Sequence, residues 1–367
     1  MRVLVINNSA TVKNGQGEFF VHRSTGEFGL RLVELGHKVE FYQLVRHTKS
    51  TNNYFPLLLN GISVSSVELG LSKLRNYFIG YLQGIRRVFK NDYIYMFYPN
   101  SFSLLLLVAV IFGKRYGIYI RGEKGVESAF SKFLYRHADS IFTVSNLFTD
   151  YINRLNMRVK AATIKPMIPF SEKDIIYNKE YSCKTHYRLL FLSRIDKDKG
   201  IFELLDAVRI LKNRGFNFVL EVVGDGSILN SVIERTVEDS TQDYVQFYGA
   251  LSDIESIKER YIHADLFILP TYHEGFPRTL YEAMIFGVPI ITTFVGTIPG
   301  LMKDGFNCFK IQPRSVQSLV DKLSMVMSDY SVVEDVVRNA LETVYPLVLT
   351  EKPTHPEMLH EAITRNQ

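Results

Sequence analysis

Two carboxylates that stand eight positions apart are the residues in this sequence with the clearest chemical potential. Glu274 and Glu282 lie within the segment 273–284, and the apolar run 264–270 comes before it. That run is typical of a buried parallel strand, and Pro277 is well placed for the first turn of a helix. We therefore expect Glu274 in the loop at the carboxyl end of a strand and Glu282 on the helix that follows.

This placement of the two carboxylates suits a particular kind of ligand. Open parallel sheets bind ligands at the carboxyl edge of their strands, and a helix N-terminus offers N–H groups and a positive dipole to phosphate. Carboxylates accept hydrogen bonds from sugar hydroxyls. A nucleotide sugar, in which a pyrophosphate joins a sugar to a ribose, has this layout. The alternative is two solvated acids near a helix start.

A second group of charged residues follows another predicted strand. The strand covers 187–194, and Arg194 and Lys199 lie between it and a predicted amphipathic helix over 201–213. Two cations at a strand end can neutralise the charge that grows on a departing nucleoside diphosphate. The alternative is ordinary surface charge.

Together these motifs give the sequence a family resemblance. It resembles the family 4 retaining glycosyltransferases, which carry a glutamate–seven residues–glutamate motif, closely over about residues 187–325 and more loosely in the N-terminal half. The resemblance implies the α/β fold called GT-B: two Rossmann-like domains that face each other across a cleft, with a C-terminal helix crossing back to the first. It also implies that Glu274 contacts the donor sugar, Glu282 the ribose, and Arg194 and Lys199 the pyrophosphate.

Further donor contacts are implied by the same resemblance, from loops of both domains. The predicted donor-binding residues are Gly275, Phe276, Pro277, Arg278, Thr279 and Gly224 in the C-terminal half, and Gly15 and Gly17 after the first strand. The glycine spacing around Gly15 does not match the dinucleotide-binding fingerprint, and a plain surface turn is the alternative there.

The acceptor side departs from the family pattern. Many family members carry a histidine in the loop after a strand of the first domain, whereas this sequence has Arg121 and Glu123 after the predicted strand 116–120. Either residue could contact the acceptor or the leaving group. The alternative is that the two charges pair with each other at the surface.

Composition bounds the setting in which the protein works. Only two cysteines occur, Cys183 and Cys308, without disulfide or metal-ligand spacing, so we expect a reducing cytoplasm, no metal and no cofactor. The N-terminal apolar run is too short for a signal peptide, and the longest apolar run, 102–112, is too short to span a bilayer.

Charge is divided unevenly along the chain. Residues 1–170 hold 22 Lys and Arg against 10 Asp and Glu, whereas the whole chain has a net charge of only +5. The segment 71–90 predicts a helix with five cations, no acid, and Leu74, Tyr77, Phe78, Tyr81, Leu82 and Ile85 on one face. A basic amphipathic helix can lie on an anionic membrane surface. The alternative is an ordinary helix whose apolar face packs in the core.

The sequence thus predicts a first domain over 1–170 that binds the acceptor, a linker over 171–186, a nucleotide-sugar domain over 187–343 and a tail over 344–367, broken near Pro346. The expected activity is retaining, metal-independent hexosyl transfer from a UDP- or GDP-sugar to a glycan, with a lipid-linked acceptor, at the inner face of the plasma membrane, in bacterial surface polysaccharide synthesis. The competing hypotheses are a GT-B nucleotide-sugar epimerase and a non-enzymatic basic binding protein. No recognition motif favours nucleic acid.

Overall fold

The computed structural model describes residues 1–8, 11–47, 54–68, 73–122, 125–155, 157–275 and 277–365, which form two compact units. The first unit comprises Met1–Met167 and Pro353–Gln367, and the second comprises Ile168–Lys352. Each unit has its own sheet and its own buried core.

The described strands are β1 (Arg2–Ile6), β2 (Thr11–Lys13), β3 (Phe19–His22), β4 (Lys38–His47), β5 (Tyr54–Pro56), β6 (Ser63–Glu68), β7 (Tyr93–Tyr98), β8 (Arg115–Ile120), β9 (Ser140–Thr143), β10 (Ala162–Thr163), β11 (Tyr187–Leu192), β12 (Phe218–Val223), β13 (Val245–Gly249), β14 (Leu266–Leu269), β15 (Ile290–Thr293) and β16 (Phe309–Ile311). The described helices are α1 (Arg23–Glu34), α2 (Lys73–Lys90), α3 (Leu104–Ile111), α4 (Ala129–His137), α5 (Asn146–Arg154), α6 (Ile201–Asn213), α7 (Leu229–Glu238), α8 (Ile254–His263), α9 (Arg278–Ile285), α10 (Val316–Ser328), α11 (Glu334–Val348) and α12 (His355–Thr364).

The first unit is built around a parallel sheet in the order β6-β4-β1-β7-β8-β9-β10. Every residue of β7 is buried, as expected for a central parallel strand whose faces are both covered. A hairpin of β2 and β3, extended by β5, adds to the end of β4. The sequence did not predict β2, β3, β5 or β6, because short strands without strict alternation leave a weak pattern.

The second unit has a six-stranded parallel sheet in the order β13-β12-β11-β14-β15-β16. From the centre of the sheet, β11, β12 and β13 follow one another toward one edge, and β14, β15 and β16 follow one another toward the opposite edge. The order therefore reverses between β11 and β14, which pair through Leu189 and Leu266. Ligands of doubly wound sheets bind at the carboxyl ends of the strands on either side of such a reversal.

The predicted linker is a packed part of the second unit. Ile176 N–H donates to the Ile285 carbonyl at 3.1 Å, and the Tyr181 hydroxyl donates to the Gly287 carbonyl at 2.7 Å. Phe170 packs edge-on against Phe286. The polar composition of 171–186 predicted a linker because the few apolar residues that anchor the segment are widely spaced.

Two features of the C-terminal segment differ in how well the sequence predicted them. The break expected near Pro346 is wrong, because α11 continues through Pro346 to Val348. Only two residues of the helix follow the proline, so the backbone bond that proline cannot make lies at the helix end. The crossing back to the first unit is confirmed. There α12 is fixed by a 2.7 Å ion pair between Glu357 and Arg31 and by contact of the His360 and His37 rings at 2.9 Å.

Candidate active site

Two loops of the second unit meet where the strand order reverses. One connects β11 to α6 and the other connects β14 to α9. Tyr272 N–H donates to the Asp198 carbonyl at 2.7 Å, and the Thr271 hydroxyl donates to the same carbonyl at 3.2 Å. These bonds hold the loop that carries Arg194 and Lys199 against the loop that carries Glu274.

The structure brings Lys199 and Glu274 into direct contact. The Lys199 ammonium lies 2.8 Å from a Glu274 carboxylate oxygen and 3.3 Å from the His273 carbonyl, and only 11% of the Lys199 side chain is exposed. Ion pairs that are largely shielded from water need good geometry, because their attraction must offset the free-energy cost of desolvating both charges. An ammonium has three N–H donors, so Lys199 retains one for a ligand after these two bonds.

Arg194 is held differently, at the surface of the same loop. Its side chain is 65% exposed, and its guanidinium lies 2.7 Å from the carboxylate of Asp196. Asp196 in turn accepts a 2.7 Å hydrogen bond from the Ser227 hydroxyl. Hydrogen bonds from Ser227, with the nearby charges of Arg194 and Lys199, hold the pKa of the Asp196 carboxyl below its usual value. Asp196 and Ser227, which no motif in the sequence indicates, thus orient the guanidinium.

Two glycines permit close backbone approach around these side chains. A Cβ on Gly224 would lie 1.9 Å from the Ser193 carbonyl oxygen, and one on Gly296 would lie 1.9 Å from the Glu274 carbonyl oxygen. Gly296 also has φ +61°, a conformation that side chains other than glycine rarely adopt. Next to it, Thr297 N–H donates to the Glu274 carbonyl at 3.2 Å. The loop after β15 therefore fixes the backbone of Glu274.

Glu282 lies on α9 and is buried away from the Lys199–Glu274 pair. The Tyr261 hydroxyl donates to its carboxylate at 2.9 Å. Burial raises the pKa of the Glu282 carboxyl, and the hydrogen bond from Tyr261 and the charge of Arg278 act in the opposite direction. Tyr261, on α8, is a site residue that the sequence did not reveal, since nothing in its local pattern separates it from an ordinary core tyrosine.

The N-terminus of α9 adds backbone donors beside the pair. The helix begins at Arg278, and the first N–H groups of a helix have no partner within it. The Leu280 N–H donates to the Pro277 carbonyl at 3.0 Å. Thr279 is half-buried in the first turn, and the Gly275 carbonyl accepts a 2.9 Å bond from the Thr297 hydroxyl. The predicted donor residue Phe276 lies outside the described residues.

The remaining predicted site residues lie in the first unit. Gly15 and Gly17 lie in the turn between β2 and β3, where Gly17 has φ +85°. Arg121 follows β8, and its guanidinium lies 5.8 Å from the centre of the Phe97 ring. Glu123 lies outside the described residues. The donor role of the two glycines and the acceptor role of Arg121 stay predictions.

Within the described parts of the chain, three or more His, Cys, Asp or Glu side chains nowhere converge as they would to hold a metal ion. None of the described helices combines the length and the apolar character needed to cross a bilayer.

The chain is similar to several known proteins. Residues 173–343 match the family model for glycosyl transferases group 1. The capsular polysaccharide biosynthesis glycosyltransferase CapM of Staphylococcus aureus is 30% identical over 155 residues, which is 42% of this chain and 40% of CapM. An N,N'-diacetylbacillosaminyl-diphospho-undecaprenol alpha-1,3-N-acetylgalactosaminyltransferase of Campylobacter jejuni is 22% identical over 90% of this chain and 87% of its own length.

Among solved structures, HepE of Anabaena in complex with UDP superposes over 100% of this chain and 99% of its own, with a TM-score of 0.66 and 15% sequence identity. Structural similarity at this low sequence identity is evidence for the fold alone, since one fold serves many functions. The chain has the GT-B fold, and its residues 173–343 carry the glycosyl transferases group 1 sequence pattern.

Proposed function

We propose that this protein is a glycosyltransferase that moves a sugar from a nucleoside-diphosphate sugar, with UDP or GDP as the nucleotide, to a glycan acceptor. The observation that carries the proposal is the Lys199–Glu274 ion pair, which stands at 2.8 Å where the strand order reverses. The pair offers a cation suited to phosphate and a carboxylate suited to sugar hydroxyls in one fixed arrangement. The UDP in the HepE structure supports a uridine nucleotide as the first donor to test.

Positive charge in the site would act on the diphosphate. Arg194, the remaining N–H of Lys199 and the first N–H groups of α9 all donate hydrogen bonds. The bond between the sugar and the β-phosphate breaks with its electron pair passing to the phosphate oxygen. Donors fixed before the reaction stabilise that growing charge more than they stabilise the bound substrate.

The two glutamates would divide the rest of the donor between them. Glu274, already oriented by Lys199 and by the loop after β15, accepts hydrogen bonds from the transferred sugar. Glu282 accepts from the ribose hydroxyls, and its orientation is fixed by Tyr261. Hydrogen bonds to charged acceptors contribute about 1.5–3 kcal/mol each, so both residues should affect donor recognition.

Retention of the anomeric configuration and independence of metal ions are part of the proposal. Both follow from the resemblance of the Glu274–Glu282 spacing to retaining family members. In a front-face reaction, the acceptor hydroxyl attacks from the side on which the diphosphate departs, and the departing phosphate oxygen takes the hydroxyl proton. No enzymic nucleophile is then required.

For the acceptor we propose a lipid-linked glycan, met at the inner face of the plasma membrane during surface polysaccharide synthesis. The name of the Campylobacter relative contains an undecaprenol diphosphate acceptor, and CapM is named for capsule synthesis. The first unit, with its excess of Lys and Arg, suits a diphosphate-bearing acceptor.

A panel of nucleotide sugars tests the proposal in two steps. A thermal-shift screen identifies the donor, because a ligand that binds only the folded state raises the midpoint. Incubation of that donor without an acceptor should then give slow hydrolysis to free sugar, insensitive to EDTA, and NMR of the first-formed anomer reports on retention. An altered nucleotide sugar would instead identify an epimerase, and no shift with any donor would contradict the proposal.

A further inference from the structure

Helix α2 packs on the first unit through its smallest side chains. Gly80 and Gly84 are buried, and a Cβ on Gly84 would lie 2.6 Å from Leu105 on α3. Val88, one turn further, is also fully buried. Residues four apart lie on one face of a helix, so the face that α2 turns to the core is a glycine-containing stripe.

Large apolar side chains consequently lie on the outside of α2. Phe78 is 66% exposed, and Leu82 and Phe89 are exposed on the same face. The apolar face that the sequence indicates is divided. Tyr77, Tyr81 and Ile85 are partly buried against the core, whereas Phe78 and Leu82 are exposed.

The end of α3 continues this apolar surface. The rings of Phe89 and Phe112 meet edge to face with centroids 4.9 Å apart. Ile111, beside Phe112, is 68% exposed. We define the α2–α3 surface as the exposed residues Phe78, Leu82, Phe89, Ile111 and Phe112. Contiguous exposed apolar patches on soluble domains usually mark interaction sites.

Cations border the α2–α3 surface. Arg86, Arg87, Lys90 and Gln83 line a surface recess of about 270 Å³, and the sequence of α2 contains no Asp or Glu. Arg87 is held by an ion pair, since its guanidinium lies 3.0 Å from the buried carboxylate of Glu40. Arg86 and Lys90 are exposed on either side of it.

We propose that the α2–α3 surface docks on an anionic phospholipid bilayer, with its apolar side chains in the interface and a lipid phosphate in the recess formed by Arg86, Arg87 and Lys90. An aromatic and aliphatic stripe bordered by Lys and Arg is the pattern of helices that lie in a membrane interface. The absence of acids along α2 favours an anionic leaflet over a protein partner of mixed charge. The inference adds a surface to the proposed function and concerns binding, which is measurable without sugar transfer.

Sedimentation with vesicles of phosphatidylcholine, with and without 30% phosphatidylglycerol, tests the docking directly. We expect the anionic vesicles to bind the protein much more tightly, and added salt to weaken that binding. Arg86→Gln with Lys90→Gln should lower the partition coefficient at least tenfold, because each cation near an anionic leaflet contributes about fivefold. Arg87 is left unchanged because its loss would remove the cation that pairs with the buried Glu40 carboxylate.

The apolar contribution is tested by Phe78→Ser with Leu82→Ser, which should lower binding to anionic vesicles at least fivefold. The matched control is Ile233→Ser with Val237→Ser, an exposed pair with the same spacing on α7 of the second unit. For the cations, the matched control is Arg158→Gln with Lys160→Gln, two exposed residues outside α2. Both controls should bind like the parent, and far-UV circular dichroism checks that all variants fold.

Several results would overturn the inference. Equal binding to neutral and anionic vesicles would remove the role of charge. Equal losses in the test and control pairs would show that the α2–α3 surface is not special. A parent dimer that Phe78→Ser with Leu82→Ser converts to a monomer, without vesicle binding, would identify a contact between two copies. Full release of bound protein by millimolar glycerol 1-phosphate would identify a soluble phosphate ligand. These outcomes concern vesicle binding alone, so they can be interpreted even if the protein shows no transferase activity.

Discussion

Arg194 and Lys199 share a loop but differ in what surrounds them. Lys199 is buried against Glu274, so it both maintains the loop and presents charge to a ligand. Arg194 is exposed, and its guanidinium lies 2.7 Å from the carboxylate of Asp196 and 3.9 Å from that of Asp198. The same substitution should therefore have different consequences for stability at the two positions, although both are proposed to bind the diphosphate.

Arg194→Ala should lower the rate of sugar transfer about 100-fold or more, the usual effect of removing one donor that stabilises transition-state charge. Its melting temperature should stay close to that of the parent, since exposed positions change stability by only about 0.5 kcal/mol. Steady-state kinetics and thermal melts measure the two effects. A variant with parental turnover would remove Arg194 from the site.

Lys199→Ala should lower turnover and stability together, because it leaves the Glu274 carboxylate without its partner. Breaking a buried pair in this way costs about 3–5 kcal/mol. In the double variant with Glu274→Gln, part of that stability should return while turnover stays low. Urea unfolding of the parent, both single variants and the double variant measures the coupling between the residues. Additive effects on stability would contradict the role of the pair.

Glu282→Gln should make the protein more stable at pH 7 and a weaker binder of nucleotide. Because burial raises the pKa of this carboxyl, its stabilising contribution is present below its unfolded pKa and is lost as pH rises through the folded pKa. At pH 7, above the unfolded pKa, this carboxyl thus costs stability that a non-titrating glutamine does not, while the Tyr261 hydroxyl keeps an acceptor. Loss of the ribose contact should weaken UDP or GDP binding about 10-fold to 100-fold, measured by calorimetry.

The opposite combination, a less stable variant with parental nucleotide affinity, would contradict both the burial argument and the ribose assignment. Tyr261→Phe is the companion variant. It removes the hydroxyl that orients Glu282 but leaves the ring in the core, so nucleotide affinity should fall by a smaller factor than in Glu282→Gln.

The sequence could indicate Glu274, Arg194 and Lys199 as members of one site because each follows a strong strand pattern, and parallel strands end at a common edge. It could not show that Lys199 pairs with Glu274, nor that Tyr261 supports Glu282, 21 positions away. Those contacts depend on how loops and helices from different parts of the chain pack. Local spacing carries no information about such packing.

At the scale of elements, prediction succeeded where an apolar run or a regular helix was long enough to have one interpretation. Helix α6 begins and ends where the sequence predicted, and β8 begins one residue before the predicted strand 116–120 and ends with it. Helix α2 exists as expected, but its apolar face is divided: Tyr77, Tyr81 and Ile85 pack against the core, whereas Phe78 and Leu82 are exposed. Periodicity assumes that the bulky residues are buried, whereas here glycines allow close packing against α3 and leave Phe78 outside.

Packing of α2 through glycine makes its own prediction. Gly84→Ala should destabilise the first unit by about 1–3 kcal/mol, since the added methyl group would lie 2.6 Å from Leu105. The better helix propensity of alanine, worth up to about 1 kcal/mol, would offset only part of this. Gln83→Ala, at the neighbouring exposed position, is the control and should be neutral. If urea unfolding finds Gly84→Ala as stable as the control, α2 does not pack as closely as described.

At the scale of the whole molecule, the first unit is completed by residues from the far end of the chain. His355, the first residue of α12, is fully buried among Phe28, Tyr95, Phe97, Tyr119 and Phe142. Its Nε2 lies 2.5 Å from the Tyr95 hydroxyl. Burial, with the nearby charge of Arg121, lowers the pKa of the His355 imidazole to about 3.

His37 belongs to the same attachment and responds to acid in the same direction. Burial lowers the pKa of its imidazole to about 4, and the chain's amino terminus and His360 contribute to the lowering. Both imidazoles are therefore neutral when α12 is docked. Docking should weaken when the medium is acidic enough to protonate them in the undocked chain.

The stability of the first unit should consequently fall as pH decreases from about 6.5 toward 4. A group whose folded pKa is depressed contributes stability that is present above its unfolded pKa, about 6.5 for histidine, and is lost as pH falls toward the folded value. Each such group costs up to about 1.4 kcal/mol per pH unit in that window.

His355→Gln cannot titrate but can still bond to Tyr95, so its melting temperature should decline less steeply than that of the parent between pH 6.5 and 4.5. The comparison rests on the slopes, because a constant offset reflects only the change in packing. Parallel curves would show that His355 is protonated as readily in the folded protein as in the unfolded chain, and that its burial does not govern how α12 is held.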